Sequence, residues 1–253
     1  MWRAVEVDRL VAHGLPRGRG LDLGCGDGLL TQIVLDEVGP RTLVGIDPDP
    51  AEAEQARRLG IYEKVHVAGG DAVPEPDSSF DFVLSNSVLE HIPEIEPVLG
   101  EVGRVLKPGG SFVFTVPSTG FHVSLRGPLL PWASRAGYLD RLDRRLAHRR
   151  YWGAEEWRAA LARNGLRLVS ADGYMDAAQV RRWESISRFT AGVLYTLAAR
   201  RRLPIDIQRG LGLRKAGRRM PRAVSRRLGS VLGAGLNGSH AGAACLLVEA
   251  LKD

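Results

Sequence analysis

Apolar residues fall in short, almost unbroken runs through the first half of this 253-residue chain. The segments 20–24 (GLDLG), 42–47 (TLVGID), 64–68 (KVHVA), 80–85 (FDFVLS) and 111–116 (SFVFTV) read as five strands. Their apolar positions are mostly consecutive rather than alternate, as expected for strands covered on both faces. Helix-length segments separate them at 27–38, 50–59 and 93–106. Strand, helix, strand in this rhythm predicts parallel pairing through right-handed crossovers, and hence a doubly wound α/β sheet. Pro108-Gly109-Gly110 reads as the turn that enters the fifth strand.

The second half is less regular. Residues 120–150 hold Pro128, Pro131 and several arginines without a clean period, and read as a loop with short helices. The segment 154–164 is helical, with Trp157 and Leu161 four apart and Gly165 suited to its C-terminal cap. Segments 166–170 and 243–251 read as a sixth and a seventh strand. Between them, 176–242 is expected to form a helical cap, set apart from a main domain of 1–175 plus 243–253. In that insert Ile186, Phe189, Val193, Leu194 and Leu197 share a helical face that runs into Arg200-Arg201-Arg202. Val224, Leu228, Val231 and Leu232 repeat the arrangement beside Arg222, Arg226 and Arg227.

Composition changes this picture in one respect. The proportions, 44% hydrophobic and 25% charged, suit a globular protein and exclude a disordered or collagen-like chain. No apolar run reaches the roughly 20 residues of a membrane-spanning helix. Cys25 and Cys245 offer no disulfide framework, and with the charged N-terminus they make a cytoplasmic location the expectation. The net charge of +6 is a sum of unlike parts: residues 1–119 carry 10 Lys/Arg against 19 Asp/Glu, and residues 120–253 carry 25 against 10. All but four of the basic residues are arginine. With 6% aromatic residues and no recognisable RNA-binding module, nucleic acid is not the expected partner. The arginine-bordered insert can be read as an ordinary lid, or as a peripheral contact with an anionic membrane.

The chemistry is concentrated in Leu21-Asp22-Leu23-Gly24-Cys25-Gly26-Asp27-Gly28. A strand ends in a turn with glycines at alternate positions and then opens a helix, so a ligand can approach the main chain closely. The dinucleotide fingerprint would need a third glycine at position 29, which is Leu29. Asp22 and Asp47 each have a plainer alternative, as caps of the turn and helix that follow them. With this turn the chain resembles the class I S-adenosylmethionine-dependent methyltransferases, in particular the small-molecule enzymes related to those of quinone biosynthesis. The resemblance covers 19–118, with weaker matches at 148–172 and 243–251.

That resemblance implies a Rossmann-like methyltransferase fold with a seven-stranded, mostly parallel sheet. It implies S-adenosylmethionine as cofactor, held by Asp22, Gly24, Cys25, Gly26, Asp47, Pro48, Asp71, Ala72, Asn86 and Ser87. Asp47 would take the ribose hydroxyls and Asp71 the adenine amine. The acceptor is expected to be a small or lipid-like molecule. Base candidates for its proton are His91, His122, His148 and Tyr151. Some relatives bind a divalent metal through a Glu-x-x-Glu-His segment; here its first position is Ser87, so Glu90-His91 alone make a poor metal site and none is expected. Two other classes stay open: a non-catalytic protein that keeps the cofactor fold, and a nucleotide-dependent oxidoreductase. The sequence sets no oligomeric state.

Overall fold

The computed structural model describes residues 2–192 and 242–253. Seven strands form one sheet: β1 (Arg19–Leu23), β2 (Thr42–Asp47), β3 (Lys64–Val67), β4 (Phe80–Asn86), β5 (Leu106–Pro117), β6 (Leu166–Tyr174) and β7 (Cys245–Lys252). Their order is β3-β2-β1-β4-β5-β7-β6. The first five run parallel, and β7 inserts antiparallel between β5 and β6. The continuous apolar runs are explained by burial on two faces. In β4, Phe80 and Val83 join the cluster under one layer of helices, while Phe82 and Leu84 join the other. Each such side chain contributes about 1.5–3 kcal/mol by leaving water.

Helices α2 (Leu29–Val38), α3 (Pro50–Leu59), α4 (Ile95–Val105) and α7 (Ala154–Arg163) lie where the sequence pattern places them, within a residue or two at each end. Val98, Leu99 and Val102 of α4 pack with Trp157 and Leu161 of α7 on one face of the sheet. The other face is covered partly by a helix the pattern did not reveal, α1 (Trp2–His13), whose Val5 and Leu10 are buried with Val34 and Leu35 of α2.

Pro108-Gly109-Gly110 falls within the bounds of β5, but it lies between Leu106, which pairs with Phe80, and Ser111, where the continuous ladder begins, so the register against β4 shifts between Phe80 and Phe82. Gly109 has φ 73°, and the turn read from the sequence is present as a bulge leading into the paired part of the strand. Such a bulge keeps the strand continuous while absorbing extra residues. The stretch 120–150 contains α5 (Gly120–Ser124) and a twelve-residue helix, α6 (Arg135–Leu146), capped by the Ser134 hydroxyl. The start of the predicted insert forms α8 (Ala177–Ser187), which buries Val180, Gln179 and Glu184 against the domain and continues into a π-helical turn, Arg188–Gly192. The remainder of that insert, including the two apolar faces built on Val193 and on Val224, lies outside the described residues. Among the described residues no helix is long and apolar enough to cross a membrane.

Candidate functional site

β1 and β2 deliver their carboxyl ends side by side, and the glycine turn crosses from one to the other. The Gly24 and Cys25 amides donate to the Ile46 carbonyl at 2.8 and 3.0 Å, and the Gly26 amide donates to Asp47 Oδ2 at 2.9 Å. Gly24 has φ 76°, and a Cβ there would stand 2.5 Å from the Val88 side chain. Any other residue would meet both backbone strain and a clash. At Gly28, with φ 75°, a Cβ would meet Tyr62 at 2.9 Å.

Neither of the two central carboxylates is the N-cap of the helix that follows it. The Asp27 side chain accepts from the Leu29 amide at the start of α2, and Asp49 accepts from the Ala51 amide as the N-cap of α3. Asp22 and Asp47 are thereby left facing the ligand space. Asp22 is buried beneath the turn, where its Oδ2 accepts from Thr31 Oγ1 and from Tyr62 OH, each at 2.6 Å. Burial pushes its carboxyl up to about 6; the two hydroxyl donors oppose that and Asp47 adds to it. Asp47 is held by the Gly26 and Asp49 amides, both at 2.9 Å. A carboxylate has about four acceptor positions, so two remain for a ligand.

A cavity of about 630 Å³ opens over this turn. Of the residues expected to hold cofactor, Asp22, Gly24, Cys25, Gly26, Asp47, Asn86 and Ser87 line it. Pro48, Asp71 and Ala72 do not; all three are exposed, and Asp71 and Ala72 follow the end of β3. Cys25 is a buried filler: burial, then the Asp22 and Asp47 charges, raise its thiol well above the usual range. Asp27, Asp49 and Glu52 add further carboxylates to the wall, and among the described residues Arg3 from α1 is its one cation. Sequence reasoning missed Arg3. The only signal was an arginine on a helix that reads as a charged N-terminal stretch.

Beside the cavity, at the carboxyl ends of β4 and β5, all four base candidates come together. The His148 and Tyr151 side chains meet at 3.0 Å, between His148 Nδ1 and the phenol oxygen. Tyr151 OH donates to Asp143 Oδ1 at 2.6 Å, and His122 Nε2 lies 2.9 Å from the same oxygen. The phenol has a single proton and gives it to Asp143, so His148 Nδ1 is the donor to Tyr151 and Nε2 keeps its lone pair. His91 Nδ1 lies 3.0 Å from the Ala147 carbonyl and must also donate, which frees its Nε2 in the same way. Both Nε2 atoms face Glu90 Oε1 at 3.9 Å. Burial depresses His91, and takes His148 down to about 3 with help from His91, so both rings are neutral near pH 7.

Glu90 is fully enclosed, and its Oε2 has no hydrogen-bond partner among the described residues. Burial, with Glu6 behind it, raises its carboxyl to about 8 against the opposing charges of Arg3 and Arg150. Glu6 of α1 is itself buried and accepts from Trp2 Nε1 (2.7 Å), Arg3 Nη1 (3.0 Å) and the Ser87 hydroxyl. Glu90, His91 and His148 place donor atoms within 4.8 Å of one another, so His148 supplies an imidazole that Glu90-His91 lack in sequence. Two imidazoles and a carboxyl form a metal-capable set. The guanidinium charges of Arg3 and Arg150 also act on this carboxyl.

The comparisons with known proteins agree with this geometry. A family model described as a methyltransferase domain matches residues 4–171. The ubiquinone biosynthesis O-methyltransferase of Brucella anthropi is 30% identical over 61% of this chain and 62% of its own length. The malonyl-[acyl-carrier protein] O-methyltransferase of Geobacter sulfurreducens is 29% identical over 88% of this chain and 82% of its own. A solved geranyl diphosphate methyltransferase, in complex with GPP and sinefungin, superimposes with a TM-score of 0.52 at 18% identity, covering 67% of this chain and 62% of that one. Several of the curated relatives, the Brucella enzyme among them, are matched over less than two thirds of their own length. The β7 strand inserted antiparallel beside β5 also departs from the dinucleotide-binding order, in which the last strands continue parallel. By its glycine turn, its sheet order and the family match, the chain belongs to the class I S-adenosylmethionine-dependent methyltransferases.

Proposed function

We propose that this protein transfers a methyl group from S-adenosylmethionine to a small-molecule or lipid-like acceptor that carries a proton to be removed. The observation that carries the reading is the meeting of two sites. The cavity lined by Asp22, Asp47 and Arg3 shares Ser87 with the hydrogen-bonded group built on Glu6, and three residues further on Glu90 is faced by the base candidates His91 and His148.

The lining fits the cofactor by charge and by shape. Asp47, fixed by two amides, presents its free acceptor positions to paired hydroxyls. The buried Asp22 and its acidic neighbours favour a ligand with cationic groups, and Arg3 matches a ligand carboxylate. When bound, S-adenosylmethionine supplies a methyl group on a positively charged sulfur. The protein's task is then to align the acceptor with that methyl, exclude water and remove the acceptor's proton. His148 and His91 present unprotonated Nε2 atoms for this. A proton received at His148 Nε2 is balanced by release of the Nδ1 proton toward Tyr151, and from there to Asp143 and His122 at the partly exposed end of the chain.

A ubiquinone-biosynthesis and a sterol methyltransferase among the similar proteins support a lipid-like acceptor. The test is incubation with methyl-labelled S-adenosylmethionine and a panel of phenols, prenyl diphosphates and lipid extracts. Labelled product together with S-adenosylhomocysteine is expected; cofactor binding without transfer to any of them would support the non-catalytic alternative.

A further inference from the structure

The end of β5 passes into α5, and the residues beyond it carry large apolar side chains pointing into solvent. Trp132 is 80% exposed, Val123 79% and Leu129 76%, with Leu130 about half exposed. At the end of α8 and in the turn after it, Ile186 and Phe189 are exposed as well, the latter at 76%. Two groups of hydrogen bonds tie these segments into one face. The Glu184 carboxylate of α8 accepts from the Arg126 amide (2.8 Å), the Gly127 amide (3.2 Å) and Tyr138 OH (2.6 Å). Arg188 donates to the Gly127 carbonyl and lies over the Tyr138 ring.

A face with this many exposed large apolar side chains is uncommon on a protein surface that meets only water. Its border is cationic. Arg126, Arg135, Arg181 and Arg182 are exposed around it, whereas the exposed Asp140 nearby is paired with Arg144. The 49 residues that follow the turn, 193–241, add 11 Lys/Arg against a single acid, Asp206. Aromatic and aliphatic side chains inside an arginine border match an anionic bilayer: the apolar groups enter the headgroup boundary and the cations meet the lipid charge. Nucleic acid would use the arginines but leave Val123, Leu129 and Leu130 without a partner.

We propose that the face formed by residues 123–132 and the α8 end docks on an anionic lipid surface. Its position gives the contact a use, which rests on the lipid-like-acceptor reading above. Arg135 Nη2 donates to the His122 carbonyl at 2.8 Å, so the face adjoins the outer end of the His122–Asp143–Tyr151–His148 chain. An acceptor leaving the bilayer here would emerge beside that chain.

The test is co-sedimentation of the full chain with phosphatidylglycerol–phosphatidylcholine vesicles and with phosphatidylcholine alone. Measurements at about 50 and about 500 mM salt separate the charge contribution, since the Debye length shrinks severalfold between them. Binding to the anionic vesicles at low salt, weakened about tenfold or more at high salt, is expected. The double variant L129S/W132S, both positions being exposed, is expected to lose about tenfold or more of that binding while keeping wild-type calorimetric affinity for S-adenosylhomocysteine. Three results would overturn the proposal: no sedimentation with anionic vesicles at low salt, equal binding by the double variant, or Trp132 shielded from acrylamide in vesicle-free protein. The last would mean that residues 193–241 or a second copy already cover the face. Because cofactor affinity is measured in the same preparations, loss of the membrane contact leaves the methyltransferase reading standing, and loss of cofactor binding identifies failure of that reading.

Discussion

The Asp49 amide donates to Asp47 Oδ1 at 2.9 Å, while the Asp49 side chain caps α3 by accepting from Ala51. Two aspartates two positions apart therefore divide the work, one holding the helix and one facing the ligand. The Asp49→Ala variant is expected to lose about 1 kcal/mol of stability, the usual effect of removing an N-cap, and Asp49→Ser to restore most of it. Thermal denaturation of the three proteins measures this. Equal midpoints for Ala and wild type would mean that the cap does not hold α3.

Asp22 titrates within reach of ordinary buffers. Its carboxyl is raised from 3.8 to about 6 by burial, so the folded protein holds the proton more tightly than the unfolded chain does. The stability this contributes is complete below pH 4 and declines as the pH rises through about 6. Cofactor affinity should move the other way, because a cationic ligand favours the ionised carboxylate. Calorimetric affinity for S-adenosylmethionine is expected to improve between about pH 5 and pH 7, by at most tenfold per unit for one linked proton. Asp22→Asn should flatten that dependence and bind more weakly at pH 7. A profile unchanged by the substitution would remove Asp22 from the site.

Among the described residues, Arg3 is the one cation lining an otherwise acidic cavity. Wild-type protein should prefer S-adenosylmethionine over its decarboxylated analogue by about tenfold or more, the worth of a charge-assisted pair. In Arg3→Gln that preference should disappear, with affinity for the analogue little changed. If the variant still discriminates, another group holds the carboxylate.

The Asp143 carboxylate organises the acceptor-side chain without lying next to Glu90. Asp143→Asn should leave cofactor affinity intact, since Asp143 is not part of the cavity wall. Once an acceptor is known, kcat should fall about tenfold to a hundredfold with KM little affected, and the acidic limb of the pH–rate profile should shift. A change confined to KM would make Asp143 a substrate-binding residue instead.

The parts of this protein readable in sequence were those with local causes. Strands buried on both faces must be apolar at consecutive positions, which is why β1, β2, β4 and most of β5 were visible as runs. The glycine turn was visible because Gly24 has both a positive φ and Val88 against its Cα. What was hidden depends on distant contacts. In α1 the buried Glu6 interrupts the apolar period, and only its bonds to Trp2, Arg3, Ser87 and Tyr174 explain why a carboxylate belongs there. His148 meets Glu90 across 58 positions, so Glu90-His91 read in isolation lacked their third member. Helix α6 buries only Leu142 and so left almost no periodic signal. The Pro108-Gly109-Gly110 turn signal was local and is matched by the positive φ of Gly109, whereas the pairing of Leu106 with Phe80 on the far side of that turn depends on β4 and left no local sign.

The central claim is that the turn and the carboxylate at the end of β2 form one cofactor site. Calorimetric titration of wild-type and Asp47→Ala protein with S-adenosylhomocysteine tests it most directly. The wild type should bind one equivalent, and the variant, which loses both the proposed ribose acceptor and the anchor of the Gly26 amide, should bind about a hundredfold more weakly or not at all. Equal affinity in the two folded proteins, or no binding by the wild type, would contradict the account.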